Sequence, residues 1–210
     1  MNRRPSPWRP ARTWLITAAS SAVLLAGVLA GCAQPEDQPG DADSPADAAP
    51  ADLLAEHGLD GLDARQLIDR LDQLPLQERP AALNVSVRAD EVVLSDSHEH
   101  QAQLPLPDEF VYVSFAPYET QTHECTYHSP TGCKGELRNT EVAVSVTDDA
   151  SGETILEDTF TTFDNGFVGL WLPRDISASV AVEAKGKRAA ASISTQGADA
   201  LTCITTLRLA

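Results

Sequence analysis

Methionine and basic residues are scarce in this chain, and familiar catalytic signatures are absent. The only methionine is Met1, so a chain that has lost its N-terminus cannot build a thioether metal site. The sequence has no G-x-S-x-G, H-E-x-x-H, P-loop or dinucleotide-binding pattern, and no Cys-x-x-Cys pair. These absences argue against a hydrolase or a nucleotide-dependent enzyme, and we expect no committed enzymatic reaction.

Positive charge is outweighed about two to one by negative charge. The 210 residues contain 15 Lys and Arg against 31 Asp and Glu, which gives a formal net charge of −16. Removing residues 1–31 would take away four arginines and no acid, and the charge would then be −20. Such a surface repels phosphate groups, so neither nucleic acid nor anionic lipid headgroups are expected partners.

The N-terminus has the features of a bacterial lipoprotein signal peptide. Its n-region carries four arginines and no acid, and an apolar stretch follows at residues 14–30. Leu-Ala-Gly then precedes Cys32, which predicts removal of residues 1–31 and lipidation of Cys32. The alternative is an uncleaved transmembrane anchor, since about 17 apolar residues are near the lower limit for a span. The predicted location is extracytoplasmic, lipid-anchored to the bacterial cell membrane on its periplasmic or cell-wall side.

Two segments are expected before the folded β-rich part. Residues 32–50 are rich in Pro, Ala, Asp and Gly without hydrophobic periodicity, which predicts a disordered acidic tether. Residues 51–80 predict a short helical segment in which Gly58 ends the first helix and Asp63 caps the second. Pro75 and Pro80 stop that second helix.

Residues 81–210 have the period-two hydrophobicity of a mainly β domain. About seven short strands with turns between them predict an antiparallel β-sandwich-like fold. Lys185-Gly186 predicts a tight hairpin, and residues 148–152 another turn. Five strand faces are readable: Leu83/Val85/Val87, Val111/Val113/Phe115, Val142/Val144/Val146, Ile176/Ala178/Val180/Val182 and Ala189/Ala191/Ile193.

Lipidation of Cys32 would leave an odd number of cysteines in an oxidising compartment, so at least one sulfur must stay free, bind metal or cross-link. Residues 123–133 place Cys125 and Cys133 in one loop with two histidines. Alternation places Cys203 on the same face as Leu201 and Leu207, toward the core. The sequence therefore allows a three-sulfur site.

Two other interpretations of these cysteines remain open. A Cys125–Cys133 disulfide would close a loop of about nine residues and stabilise the domain by roughly 2.5 kcal/mol, with Cys203 an inert core residue and the domain a surface interaction module. The second interpretation is a thiol redox protein that reduces Cu(II) or scavenges oxidants. If metal binds, three thiolates suit Cu(I), whereas Cys₃His suits Zn²⁺.

Four segments resemble the CueP family of bacterial periplasmic copper-binding proteins. They are residues 110–118, 122–137, 161–175 and 202–209, and the most specific part is Asp-Asn-Gly-Phe-Val-Gly-Leu-Trp at 164–171. The resemblance implies that Cys125, Cys133 and Cys203 hold Cu(I), and that the protein sequesters copper or passes it to an envelope enzyme such as Cu,Zn superoxide dismutase. The sequence leaves the oligomeric state open, a homodimer included.

Several histidines and one tryptophan are candidate auxiliary groups. His123 and His128 flank Cys125 and could contact the metal, although a solvated loop is the simpler interpretation. Trp171 could cover a bound copper ion, although a strand tryptophan is more often core. His98 and His100, beside Asp96, could capture Cu²⁺ or Zn²⁺ as a second site, with a solvated loop as the alternative.

Overall fold

The computed structural model describes residues 45–210. The predicted signal peptide and the predicted lipidation site, Cys32, lie outside the described residues. Among residues 45–210, no helix has both the length and the apolarity needed to cross a bilayer.

The helical segment begins earlier than predicted. Its elements are α1 (Pro45–Glu56), α2 (Ala64–Gln73) and a 3₁₀ turn (Leu76–Glu78). Helix α1 starts inside the stretch predicted as tether, where an alanine-rich sequence favours helix. Gly58 adopts the left-handed φ of 68° expected of a helix end. Asp63 and Gln66 form a reciprocal capping box at the start of α2, as the N-cap prediction requires.

Within residues 45–210, ten strands follow the helices in three sheets, so the mainly β prediction is confirmed. The strands are β1 (Leu83–Val87), β2 (Glu91–Asp96), β3 (Gln101–Pro105), β4 (Phe110–Phe115), β5 (Glu141–Asp148), β6 (Thr154–Thr161), β7 (Val168–Pro173), β8 (Ser177–Ala184), β9 (Lys187–Ser194) and β10 (Cys203–Ile204). The sheet orders are β1-β2-β3, β10-β4-β7 and β6-β5-β8-β9. Neighbouring strands are antiparallel except for β10, which runs parallel to β4.

One hydrophobic core joins the sheet of β4 and β7 to the four-stranded sheet. Inward-facing residues of both sheets are almost fully buried there, including Val111, Val113, Val144, Val180 and Leu172. Their alternation with exposed residues follows the period of two that the sequence predicts. The hairpin between β8 and β9 turns at Lys185 and Gly186, both with positive φ, as a tight turn of this kind requires.

A second core joins the helices to the sheet of β1, β2 and β3. Leu67, Ile68 and Leu71 of α2 are fully buried and pack against β-strand residues such as Val85. Tyr112 of β4 belongs to this core and not to the first one. Strand β4 therefore contacts both cores with alternate side chains, which brings the inner face of α2 close to the strand that pairs with β10.

The C-terminal strand is shorter than the alternation suggested. Cys203 is buried, with 2% of its surface exposed, and Leu207 is fully buried. Leu201, expected on the same inward face, is 50% exposed. Because β10 contains only two residues, the period of two does not extend back to Leu201.

Candidate metal centre

The loop that carries Cys125 and Cys133 is folded by its own hydrogen bonds. The backbone N–H of Cys133 donates to the carbonyl oxygen of Ser129 at 2.8 Å, and the N–H of Gly132 donates to the Ser129 hydroxyl at 3.1 Å. The N–H of Ser129 in turn points at the sulfur of Cys133, 3.4 Å away. This turn brings the two cysteines of the loop together.

Strand β10 brings Cys203 to the same place. Cys203 is in register with Ser114 of β4, so the C-terminal segment is fixed to the sheet. The backbone N–H groups of Thr202 and Cys203 both donate to the carbonyl oxygen of Thr126, at 3.2 and 3.3 Å. These bonds attach the strand to the loop and place all three sulfurs at one point.

Two of the three sulfurs form a disulfide in the structure. The bonded pair differs from the Cys125–Cys133 pair that the sequence spacing suggested. Cys125 and Cys203 form a disulfide across 78 residues of sequence. Cys133 is the free thiol among the described residues, and its sulfur lies 3.5 Å from that of Cys125. The proposed Cys125–Cys133 bridge is therefore absent from residues 45–210 in this state, and Cys203 is not an inert bystander.

The sulfur cluster is dry on its inner side and accessible on its outer side. Cys203 packs with Ala116 and the fully buried Phe167, whereas Cys125 and Cys133 are half-buried. A groove of about 380 Å³ borders Cys125 from outside and is lined by Tyr118, Thr122, His123, Glu124, Thr205 and Thr206. A small ion could reach the sulfurs from this side without unfolding the domain.

The two loop histidines approach the sulfurs from different sides. His123 is half-buried, and one of its ring nitrogens lies within 4.8 Å of the sulfurs of Cys125 and Cys133. His128 is fully buried, and one of its ring nitrogens lies within 4.8 Å of the sulfurs of Cys133 and Cys203. Neither histidine occupies the fully solvated loop that was the simpler expectation.

Trp171 contacts residues of helix α2 and strand β4 that lie outside the group of three cysteines. Its indole N–H donates to Asp69 at 3.0 Å, and the guanidinium of Arg65 lies 4.9 Å above the ring. The ring also packs on Tyr112, with 5.0 Å between centroids. The cation held by Trp171 in this structure is thus an arginine of helix α2, and the aromatic ring packed on the sulfur cluster is that of Phe167.

Asp72 is a residue of this site that sequence reasoning missed. Its buried carboxylate accepts hydrogen bonds from His128 Nε2 at 3.0 Å and from the Tyr112 hydroxyl at 2.6 Å. Burial alone would raise the pKa of Asp72, but the neighbouring His128 lowers it below its ordinary value overall. Burial would likewise lower the pKa of His128, but Asp72 outweighs it and raises that pKa to about 9.

Arg79 ties the helical segment to the thiol loop. Its guanidinium donates to the carbonyl oxygens of Asp72, at 2.8 Å, and of Pro130 in the loop. The sequence marks Asp72 only as a charged residue on the otherwise apolar face of an amphipathic helix. This position of Asp72 could have indicated a buried, paired carboxylate, since acidic residues are rarely buried unless they are paired.

The second histidine pair lies in the turn between β2 and β3. His100 Nδ1 is 2.9 Å from one carboxylate oxygen of Asp96. The other oxygen of Asp96 accepts hydrogen bonds from the backbone N–H groups of His98 and His100. Ligand atoms of Glu56, Asp96 and His100 lie within 4.8 Å of one another. Asp96 thus already acts as the cap of this turn, and a second metal site there stays a prediction.

Together, the fold and this donor set define a class of protein: a β-rich domain with sulfur and imidazole ligands of the kinds that soft metal ions prefer. The family model described as "Periplasmic copper-binding protein CueP" matches residues 66–208. The crystal structure of S.CueP aligns with 81% of this chain and 100% of its own, at 39% identity and a TM-score of 0.71. Among curated proteins, none matches this sequence significantly. The chain belongs to the CueP family, which supports copper binding and a periplasmic location.

Proposed function

We propose that this protein binds Cu(I) outside the cytoplasm through the thiolates of Cys125, Cys133 and Cys203. The observation that carries the proposal is the meeting of these three sulfurs from a loop and a distant strand. Thiolates are soft donors that Cu(I) prefers, and the mature chain has no thioether to compete. The dry packing of Phe167 and Ala116 on the inner side would limit hydrolysis and oxidation of the bound ion.

Binding in this form requires the disulfide to be reduced. Opening the Cys125–Cys203 bond consumes two electrons and yields two thiolates that join Cys133. Copper occupancy would then depend on the thiol redox state of the compartment as well as on copper concentration. Protons compete for the same sulfurs, so mild acid should also weaken binding.

The proposed cellular role is copper sequestration, or copper delivery at the outer side of the membrane. A lipid on Cys32 and the acidic tether would hold the domain near the membrane surface. The outer groove beside Cys125 is where a recipient enzyme such as Cu,Zn superoxide dismutase would approach. We propose no committed catalytic reaction for this role.

A second candidate function is reduction of Cu(II), and the disulfide itself favours it. Two thiolates, those of Cys125 and Cys203, would each give one electron to a Cu²⁺ ion, which leaves one disulfide and two Cu⁺ ions. The sulfur of Cys133 lies 3.5 Å from that of Cys125. At this distance it could bind a Cu⁺ product, or attack the Cys125–Cys203 disulfide by thiol–disulfide exchange. An external dithiol would have to restore the reduced state.

Substitution of Cys203 tests the three-thiolate site. In reduced protein, Cys203→Ser replaces a soft donor with a poor one at nearly constant volume, so affinity for Cu(I) should fall at least tenfold, about 1.4 kcal/mol. Competition with a colorimetric Cu(I) chelator measures this affinity. The unreduced, metal-free wild type should contain one reactive thiol besides any at Cys32, and the reduced protein three.

Ile204→Val is the matched control, because it trims the neighbouring buried side chain without removing a donor. Its Cu(I) affinity should equal that of wild type. Equal affinities for wild type and a folded Cys203→Ser would remove Cys203 from the site. Failure of the reduced wild type to bind Cu(I) would refute the proposed function itself.

A further inference from the structure

A second group of metal-binding side chains, which shares no residue with the cysteine cluster, lies where the end of helix α1 meets the turn between β2 and β3. Its members are Glu56, the last residue of α1, and Asp96 and His100 of the turn. One oxygen from each carboxylate and one ring nitrogen of His100 lie within 4.8 Å of one another. The fold thus brings three donors together from two segments that are distant in the sequence.

The hydrophobic core beneath this group holds the two segments in contact. Leu53 and Leu54 of α1 are buried in the same core as Ala102 of β3. The turn itself is closed by the backbone N–H of Asp96, which donates to the carbonyl oxygen of His100 at 3.2 Å. The meeting of the three donors is therefore determined by packing, in addition to the positions of flexible side chains.

Asp96 is the fixed member of the group. Its side chain is only 2% exposed, and one carboxylate oxygen accepts the backbone N–H groups of His98 and His100 at 2.8 and 3.0 Å. The other oxygen lies 2.9 Å from Nδ1 of His100. One oxygen therefore anchors the carboxylate in the turn, and the other has lone pairs directed toward the histidine ring.

Negative charge accumulates at this point without a basic residue to balance it. Glu56 lies at the C-terminal end of α1, where the helix dipole is already negative, and the last turn of that helix contains no basic residue. Within residues 45–210, Asp96 forms its ion pair with His100, and neither acid pairs with Lys or Arg. Two carboxylates this close repel each other unless a cation lies between them. The electrostatics of the group therefore favour a bound cation.

We propose that Glu56, Asp96 and His100 form a second metal site, which binds a divalent ion and prefers Cu²⁺ to Zn²⁺. Two carboxylate oxygens and one imidazole nitrogen suit divalent transition-metal ions, and Cu²⁺ is the one that such donors bind most tightly. Cu(I) prefers thiolates, so the two groups of residues select different oxidation states of copper. This site goes beyond the three-thiolate function and does not depend on it.

The distances are compatible with one shared ion. Two donors that each lie about 2.1 Å from an ion, at a right angle to one another, are about 3.0 Å apart. Nδ1 of His100 and the oxygen of Asp96 are already 2.9 Å apart, so an ion can replace the hydrogen between them with little movement. Glu56 is exposed, and so is 57% of the His100 side chain. Both can therefore move toward an ion that arrives from solvent, and water can complete its coordination.

Cu²⁺ binding by the full-length protein, purified in detergent, tests the proposal. The Cys125–Cys203 disulfide is kept intact and Cys133 is blocked with N-ethylmaleimide, so that no thiolate of the cysteine cluster binds or reduces the ion. Titration with Cu²⁺ against a competing chelator should show binding of one ion per chain. His100→Gln and Glu56→Gln should each lower the Cu²⁺ affinity by at least about tenfold, since even an outer partner of a metal ligand contributes that much.

Two variants are matched controls. Glu99→Gln removes an exposed acid from the same turn and leaves the three donors in place, and His123→Gln removes an imidazole beside the cysteines. Both should keep the Cu²⁺ affinity of wild type. Equal affinities for wild type and His100→Gln would overturn the proposal. A loss in Glu99→Gln as large as that in Glu56→Gln would also overturn it, because net charge alone would then explain the binding.

Pulsed electron paramagnetic resonance of the Cu²⁺-loaded wild type identifies the donors without relying on any variant to fold. Modulation from one coordinated imidazole is expected, and it should disappear in His100→Gln. A Cu²⁺ spectrum without imidazole would overturn the proposal. Cu(I) affinity of the reduced, unblocked protein should be the same in wild type and His100→Gln. Failure of the reduced wild type to bind Cu(I) would remove the three-thiolate function and leave this second site standing.

Discussion

At the scale of single residues, Glu136 fixes the chain where it enters the thiol loop. Its half-buried side chain accepts hydrogen bonds from the Thr120 hydroxyl and from the backbone N–H groups of Thr120 and Glu119, the latter two at 3.0 and 2.7 Å. These bonds, that of the Thr120 hydroxyl above all, lower the pKa of Glu136 from 4.5 to about 2. The charge of one carboxylate therefore orders the segment that leads to His123.

This lowered pKa predicts a loss of order in acid. A carboxyl whose pKa is depressed by folding stabilises the folded form fully above pH 4.5, and this contribution disappears as the pH falls toward about 2. Hydrogen exchange at the amides of Glu119 and Thr120 should therefore lose protection across this range. In Glu136→Gln the protection should be low throughout, whereas Glu157→Gln on exposed β6 should behave like wild type. Amide protection that does not change with pH in the wild type would refute this role of Glu136.

At the scale of structural elements, two glycines join the thiol loop to the turn before β7. Gly166, in the Asp-Asn-Gly turn, has a φ of 79°, a left-handed conformation that glycine adopts readily. A methyl group on Gly166 would lie 2.7 Å from the backbone of Gly135. The N–H of Gly135 also donates to the carbonyl oxygen of Asn165 at 2.6 Å. The same turn thus fixes the loop and points Asn165 toward Asp72.

Gly166→Ala should therefore be more destabilising than an ordinary glycine substitution. The left-handed φ alone costs about 1–2 kcal/mol, and the clash with Gly135 adds roughly 1–3 kcal/mol. Gly152→Ala is the control, because Gly152 has a similar φ of 73° and open space around it. Urea unfolding measures the free energy of unfolding of both variants. Cu(I) affinity should fall only in Gly166→Ala. Equal stabilities of the two variants would contradict the close-contact argument.

At the scale of the whole molecule, the chain combines an acidic folded domain with an N-terminal sequence that predicts export. The folded part repels anionic headgroups, so membrane association is expected to depend on the N-terminal cysteine alone. Two or three acyl chains hold a protein at a membrane where one would bind only marginally. The family description, periplasmic, agrees with the predicted extracytoplasmic location.

Cys32→Ala should release the protein from the detergent phase. Wild type should partition into detergent because of lipid on Cys32, and the variant should lose both lipid and normal processing. Detergent phase separation followed by mass measurement of the N-terminus checks both effects. Cys133→Ala, which leaves the signal intact, should partition like wild type. A Cys32→Ala protein that is processed and anchored normally would refute the lipoprotein prediction.

The sequence by itself determined the features that depend on near neighbours. The cap at Asp63 and the helix end at Gly58 are set by contacts three to five residues away, so the pattern reveals them. The inward faces of β4, β5 and β8 follow from the period of two along each strand. The donor types available for a soft metal were also evident, because composition alone fixes them.

Only the tertiary structure decided which of these groups meet. Cys125 pairs with Cys203 across 78 residues, and Asp72 reaches His128 across 56. No local periodicity encodes such pairs, because they arise where two hydrophobic cores pack on opposite faces of β4. The parallel strand β10 is stabilised by its neighbours and is too short to show alternation. The candidate site is therefore specified by the packing of distant segments, whereas sequence spacing alone also allowed a bridge within the loop.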